Sequence, residues 1–192
     1  MEAVQALDIQ ILIWIAEHLR NDILTPALIF LTRLCDHGEL WLTLALLLLL
    51  RPRTRRCGAA MLLAMAFGLV LGNGVLKHLL ARPRPFITYP EFVPLLRIGG
   101  YSCPSGHTLA SFCASTAIFY SFRKSGAAAF LLAGLIGFTR LYVGVHYLTD
   151  VLLGALLGVC FGLAAAVITE HVALSLHYMR LKRADLSEKK RK

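Results

Sequence analysis

Long apolar segments constrain the fold of this chain more than any other feature of its sequence. Residues 59–80, 127–145 and 148–169 contain almost no charged side chains. An α-helix rises ~1.5 Å per residue, so each segment is long enough to cross the roughly 30 Å hydrocarbon core of a bilayer. The pattern predicts an all-α, polytopic membrane helix bundle with about six transmembrane helices.

The composition excludes several other classes of protein. The chain is 57% hydrophobic and 16% charged, whereas an ordinary soluble domain is about 25% charged. Its mean hydropathy is +0.67, which argues against a soluble globule and against a disordered chain. The net charge of +9 is typical of some nucleic-acid-binding proteins, but here the cations lie in clusters between apolar segments rather than on one soluble face. We therefore expect no nucleic-acid partner.

The basic clusters predict the topology and the division of the chain. They lie at residues 51–56, 123–124 and 180–192, and the positive-inside rule places each of them in the cytoplasm. The polar segment 81–106 is then extracytoplasmic. We interpret residues 1–21 as an N-terminal amphipathic, interfacial helix, residues 22–170 as the transmembrane catalytic domain and residues 171–192 as a basic cytoplasmic tail. The predicted location is the plasma or inner membrane.

Three cations near the outer ends of helices form the first candidate site. Lys77, Arg84 and Arg140 would each cost several kcal/mol at membrane depth unless paired or placed in a polar cavity. Between residues 92 and 168 the only carboxylate is Asp150, so an external anion is the natural partner. A guanidinium binds phosphate oxygens in a bidentate manner and a lysine adds a point charge. For Lys77 or Arg140 alone, snorkelling to the interface is the alternative.

Two further features point to the same chemistry. Ser105 and Gly106 stand where an apolar helix begins, and the free backbone N–H groups there favour an anion. Ser105 is equally compatible with an ordinary helix cap. His146 and Asp150 are four residues apart, so the carboxylate can hold one ring N–H while the other nitrogen attacks or takes a proton. With His107 at a second outer helix end, phosphoryl transfer is favoured over a purely structural His–Asp contact.

Three spaced motifs make the chain resemble the type 2 phosphatidic acid phosphatase (PAP2) family, which also includes vanadium haloperoxidases. The first, K-x6-R-P, is represented by Lys77, Arg84 and Pro85, and the second, PSGH, by residues 104–107. The third resembles S-R-x5-H-x3-D, with Arg140, His146 and Asp150 in place. Thr139 stands where serine is usual and keeps the hydroxyl group. The resemblance implies a PAP2/haloperoxidase-like helical core.

The resemblance also implies roles for individual residues. The implied catalytic residues are His146, which attacks phosphorus, Asp150, which orients it, and His107, which protonates the leaving group and then activates water. The phosphate-binding residues would be Lys77, Arg84, Ser105, Gly106 and Arg140, which stabilise charge on the equatorial oxygens. No metal and no cofactor is expected, in agreement with the scarcity of carboxylates that could hold Mg²⁺.

A site at the ends of membrane helices predicts a lipid phosphate as substrate. Small chains of this type resemble bacterial enzymes that recycle undecaprenyl diphosphate or dephosphorylate phosphatidylglycerophosphate. Arg82 and Arg97 are candidates for holding a second phosphate, which favours undecaprenyl diphosphate, with phosphatidylglycerophosphate or phosphatidic acid as alternatives. The sequence does not indicate an oligomeric state.

Three functions from other classes stay open. A membrane serine hydrolase would use Ser102 or Ser105, although GxSxG is absent from the sequence. A vanadate-dependent peroxidase would share the anion pocket, and a non-enzymatic lipid-phosphate binding or transport protein would bind the headgroup without turnover.

Overall fold

Every regular element in residues 2–189, the part of the chain that the computed structural model describes, is helical. The helices are α1 (Glu2–His18), α2 (Leu24–Leu34), α3 (Glu39–Leu49), α4 (Arg55–Phe67), α5 (Lys77–Leu80), α6 (Pro85–Thr88), α7 (Gly106–Ser121), α8 (Arg123–Tyr142) and α9 (Leu148–Lys189). A 3-10 turn at Asp36–Gly38 joins α2 to α3, and a π-helical segment, Gly68–Leu76, joins α4 to α5 without a break in the rod. The end of the predicted tail, residues 190–192, lies outside the described residues.

Three helical segments in the described part of the chain are long and apolar enough to cross a membrane. They are Arg55–Thr88, Arg123–Tyr142 and Leu148–Arg183. Helices α2 and α3 have only 11 residues each and α7 has 16, so at ~1.5 Å per residue they fall short of a full crossing. The structure therefore supports a helical membrane bundle, and the count of about six spans stays a prediction.

Helix α7 lies at the centre of the bundle and packs against α4, α8 and α9. Its contact with α9 depends on Gly154, Gly158 and Gly162, which recur every four residues and therefore share one face. A methyl group added at Gly158 would lie 2.5 Å from the Cβ of Phe112 and 2.8 Å from the carbonyl oxygen of Leu109. Small residues at this spacing let two helix backbones approach closely. The contact sets the start of α7 beside the start of α9.

Helix α1 packs on the end of the bundle where α8 connects to α9. Ile9, Leu12 and Ile15 are buried in one apolar cluster with Tyr142 and Tyr147. The structure thus ties the N-terminal helix to the loop 143–147. Its predicted position in the membrane interface stays a prediction.

The predicted boundary between the transmembrane domain and the tail lies within α9, whose 42 residues continue into the predicted tail. The division after residue 170 thus falls inside one continuous helix. Residues 81–105, between α5 and α7, form an extended loop, here called the excursion, that carries only the short helix α6.

The close contact of α7 with α9 gives a stability prediction. We expect Gly158→Ala to lower the free energy of unfolding by about 1–3 kcal/mol, because the added methyl group overpacks a backbone contact. Gly134→Ala on α8 is the matched control, since nothing lies within 4 Å of its added methyl group. Thermal unfolding in detergent would measure both, and equal midpoints for the two variants would contradict the packing described here.

Candidate active site

A cavity of about 630 Å³ brings together residues that are far apart in the sequence. Of the predicted site residues, its lining includes Lys77, Arg84, Gly106, His107 and His146. The other three predicted residues are not in the lining and are buried: Ser105, Arg140 and Asp150. The rest of the wall is largely apolar, with Leu42, Leu62, Met65, Leu69 and Leu109 among its side chains. The cavity therefore joins a cationic, histidine-bearing end to a hydrocarbon-like wall.

His146 lies in the loop between α8 and α9 and is only 2% exposed. Its Nε2 lies 3.4 Å from Nη1 of Arg84, while its Nδ1 lies 3.6 Å from Oδ2 of Asp150. Burial lowers the pKa of His146 from its ordinary value, which favours the neutral imidazole at pH 7. This is the protonation state that a nucleophile requires.

Ser102 completes the surroundings of this ring. Its Oγ lies 3.4 Å from Nδ1 of His146 and donates a short hydrogen bond to Oδ2 of Asp150. The backbone N–H of Tyr147 donates to the same oxygen at 2.9 Å. From the sequence, Ser102 is a candidate only as the nucleophile of a serine hydrolase. Its hydroxyl is fully buried and bonded to the carboxylate, which disfavours that alternative.

Arg84 is buried and donates hydrogen bonds to three backbone carbonyl groups. It donates to Gly99 and Gly100, both at 3.0 Å, and to Val145 at 2.8 Å. These bonds fasten the excursion before α7 to the residue that precedes His146. Arg84 thus supplies positive charge to the cavity and also fixes the loop that carries the histidine.

His107, in the first turn of α7, has a carboxylate partner that is not among the predicted site residues. Its Nε2 lies 2.9 Å from Oδ1 of Asp36 in the 3-10 turn. An acidic side chain at a break between two apolar segments is the signal that would have identified Asp36.

Arg140 and Ser105 support the site from behind the cavity wall. Arg140 is 2% exposed and donates a short hydrogen bond to Oγ1 of Thr32. The backbone N–H of Ser105 donates to the carbonyl of Asp150 at 3.1 Å. The Oγ of Ser105 accepts from Thr108 and makes no capping bond, so Ser105 holds the cap position without the usual side-chain cap.

Asn73 also lines the cavity, although it is absent from the predicted site. It lies in the π-helical segment four residues before Lys77. A methyl group added at Gly106 would lie 3.1 Å from its Oδ1, so the absence of a side chain at Gly106 leaves room for the Asn73 amide.

The two arginines assigned to a second phosphate are placed differently. Arg82 pairs with Asp8 at 2.7 Å and with Asp150 at 2.6 Å. The guanidinium of Arg97 lies over the ring of Phe86, 5.8 Å from its centroid. Neither arginine lines the cavity. The ion pairs of Arg82 with two carboxylates argue against a role for it in holding a second phosphate.

Within residues 2–189, no three His, Cys, Asp or Glu side chains come together in a group that could hold a metal ion.

Comparison with known proteins gives consistent results. Residues 57–173 match the model of the PAP2 superfamily. The chain is 36% identical to an undecaprenyl-diphosphatase of Sulfolobus acidocaldarius over 62% of its own length and 58% of the relative. It is 34% identical to phosphatidylglycerophosphatase B of Bacillus subtilis over 54% of its length and 55% of the relative. The chain thus spans little more than half the length of these two relatives.

A solved structure extends the similarity to most of the fold. The crystal structure of a transmembrane PAP2-type phosphatidylglycerolphosphate phosphatase from Bacillus subtilis superposes with a TM-score of 0.74 at 27% identity. The match covers 90% of this chain and 89% of that one.

The cationic end of the cavity gives a binding prediction that does not depend on turnover. We expect orthovanadate, a tetrahedral oxyanion, to raise the midpoint of thermal unfolding of the purified protein. Lys77→Met should weaken this binding by about 10- to 100-fold, because a charge-assisted hydrogen bond contributes about 1.5–3 kcal/mol. Lys124→Met is the matched control, since this lysine is exposed at the far end of α8. Equal vanadate affinities in the two variants would argue against an anion at Lys77.

Proposed function

This chain belongs to the PAP2 superfamily, and we propose that it is an integral membrane lipid phosphatase acting through a phosphohistidine. The observation that carries the proposal is the position of His146. Its ring lies beside Arg84 in the lining of a cavity that also contains Lys77 and His107. The apolar remainder of that cavity supports a substrate with a hydrocarbon chain.

The proposed reaction has two steps. The phosphoryl group is transferred to Nε2 of His146 in the first step and from it to water in the second. In the first step Nε2 forms a bond to phosphorus while the bond to the leaving oxygen breaks, and His107 donates a proton to that oxygen. In the second step His107 takes a proton from water, whose oxygen displaces Nε2 and releases phosphate. Both histidines return to their starting states.

Carboxylates support both histidines in this mechanism. Asp150 and Ser102, on the Nδ1 side of His146, stabilise the positive charge that develops on the ring during attack. Asp36, 2.9 Å from Nε2 of His107, favours the protonated imidazole and so opposes the effects of burial and of Arg140. Lys77, Arg84 and the backbone N–H groups at the start of α7 bind the equatorial oxygens, where charge is greatest in the transition state.

We propose undecaprenyl diphosphate as the substrate. Its support is the similarity to a relative named undecaprenyl-diphosphatase. Arg82, which pairs with two carboxylates, gives no support for a diphosphate. Similarity to a phosphatidylglycerophosphatase supports the main alternative, phosphatidylglycerophosphate. Both substrates place a phosphate headgroup at the membrane surface and leave the hydrocarbon in the bilayer.

We also propose that the cavity faces the extracytoplasmic side of the plasma or inner membrane. The short helices α2, α3 and α7 would complete, with the three long segments, a bundle of about six spans. The basic clusters at residues 51–56 and 123–124 would face the cytoplasm.

Phosphate release is the first measurement. We expect the detergent-purified protein, with EDTA present, to release phosphate from undecaprenyl diphosphate, phosphatidylglycerophosphate or phosphatidic acid. His146→Ala should lower turnover by about 10³-fold or more, because no other group takes the place of the nucleophile. His171→Ala, at an exposed position of α9, should retain wild-type turnover.

The outcomes separate the classes of function. Release that survives His146→Ala would contradict the phosphohistidine mechanism, and release abolished by EDTA would contradict the absence of a required metal. Folded wild-type protein that binds these lipids without releasing phosphate would favour a binding or transport protein.

Cysteine labelling tests the orientation. Gly99→Cys adds a thiol in open space beside the site, so a membrane-impermeant maleimide should label it in intact cells. Lys124→Cys, at the opposite end of α8, should react only after permeabilisation, and the parent protein measures the background of the native thiols. The reverse pattern would place the cavity in the cytoplasm.

A further inference from the structure

A chain of charges links the N-terminal helix to the candidate active site. Arg82 donates through Nη2 to Oδ2 of Asp8 at 2.7 Å and through Nη1 to Oδ1 of Asp150 at 2.6 Å. The two nitrogens of one guanidinium thus hold two different carboxylates. Asp8 belongs to α1 and Asp150 to the first turn of α9.

The three charged side chains of this arrangement are largely buried, so each depends on its partners. Asp150 is fully buried, Asp8 is 2% exposed and the side chain of Arg82 is 19% exposed. A buried charge that loses its partner is strongly destabilised, so each carboxylate depends on the shared guanidinium.

Neutral groups restrict the guanidinium further. Nη2 of Arg82 also donates to Oε1 of Gln5 at 2.8 Å, and Nη1 donates to Oγ1 of Thr149 at 2.7 Å. The guanidinium lies over the ring of Tyr147, 3.9 Å from its centroid. The backbone N–H of Thr149 donates to Oδ1 of Asp8 at 3.1 Å. Asp8 is therefore bonded both to Arg82 and to the residue that precedes Asp150.

We propose that Asp8 is a positioning residue for the reaction. Through Arg82 it fixes the orientation and the available charge of Asp150, and through Asp150 it positions His146. The inference rests on the proposed function. Asp8 lies outside residues 57–173, the range that matches the superfamily model, so the inference gives α1 a part in catalysis that the matched core alone does not contain.

The physical reason is competition for one guanidinium. While Asp8 holds Nη2, Arg82 gives Asp150 only Nη1, and Oδ2 of Asp150 stays directed at Ser102 and His146. Without the charge of Asp8, only the neutral Gln5 still attracts Nη2 of Arg82, and Asp150 can compete for both nitrogens. The carboxylate then turns toward Arg82 and stabilises the charged ring of His146 less well.

Asp8→Asn tests the proposal with a near-isosteric side chain. We expect kcat for lipid phosphate release to fall about tenfold while KM changes less than twofold, because Lys77 and Arg84 still bind the headgroup. Glu17→Gln is the matched control: it removes the same charge from the same helix at an exposed position and should leave kcat unchanged. A purely structural role for Asp8 would lower the amount of folded protein without lowering kcat per folded molecule.

A double-mutant cycle with Asp150→Asn tests whether Asp8 affects kcat through Asp150 or independently of it. If Asp8 acts through Asp150, Asp8→Asn should cause no further loss of kcat in the Asp150→Asn background. An equal loss in both backgrounds would overturn the proposal, as would an unchanged kcat in folded Asp8→Asn protein.

A second variant covers the case in which Asp8→Asn does not fold. Thr149→Val removes the hydroxyl that accepts from Arg82 and donates to Oδ2 of Asp8, so it loosens both members of the Asp8–Arg82 pair, and we expect a loss of about threefold in kcat with KM unchanged. Unchanged kcat in this variant would then overturn the proposal. Wild-type protein inactive on all three lipid phosphates would overturn the proposed function together with the inference, whereas active wild type with unaffected variants overturns the inference alone.

Discussion

The buried carboxylate of Asp150 is the interaction on which the rest of the site depends. It carries a negative charge inside a bundle of apolar helices, where an uncompensated charge costs several kcal/mol. Its partners come from separate parts of the chain: Arg82 and Ser102 from the excursion before α7, and the backbone N–H of Tyr147 from the loop before α9. Satisfying one charge therefore requires these segments to converge, and their convergence places His146.

The scaffold that permits this convergence is a contact between backbones rather than between large side chains. Gly154, Gly158 and Gly162 bring α9 against α7. Ser105 at the start of α7 then donates its backbone N–H directly to the carbonyl of Asp150. Apolar packing in the middle of the bundle and charge pairing at its end thus enforce the same geometry.

The sequence predicts the helical class and superfamily because both depend on local patterns. Apolar length identifies the three long segments, and fixed spacings identify His107, His146 and Asp150. The sequence does not predict that Asp36 contacts His107. Nor does it predict that Asp8 shares Arg82 with Asp150. These partners are many residues apart, and only tertiary packing brings them together. For the same reason Arg82 resembles a free phosphate ligand in the sequence. The glycine pattern of α9 is local and could have been used to predict its packing.

The unbroken course of α9 makes this helix much longer than one membrane crossing requires. With 42 residues and a rise of ~1.5 Å each, the helix is about 63 Å long, roughly twice the thickness of the hydrocarbon core. Asp150 lies in its first turn, and the basic residues from Arg180 onward lie near its other end. Since no loop interrupts the helix, about half of its length must lie beyond the hydrocarbon core.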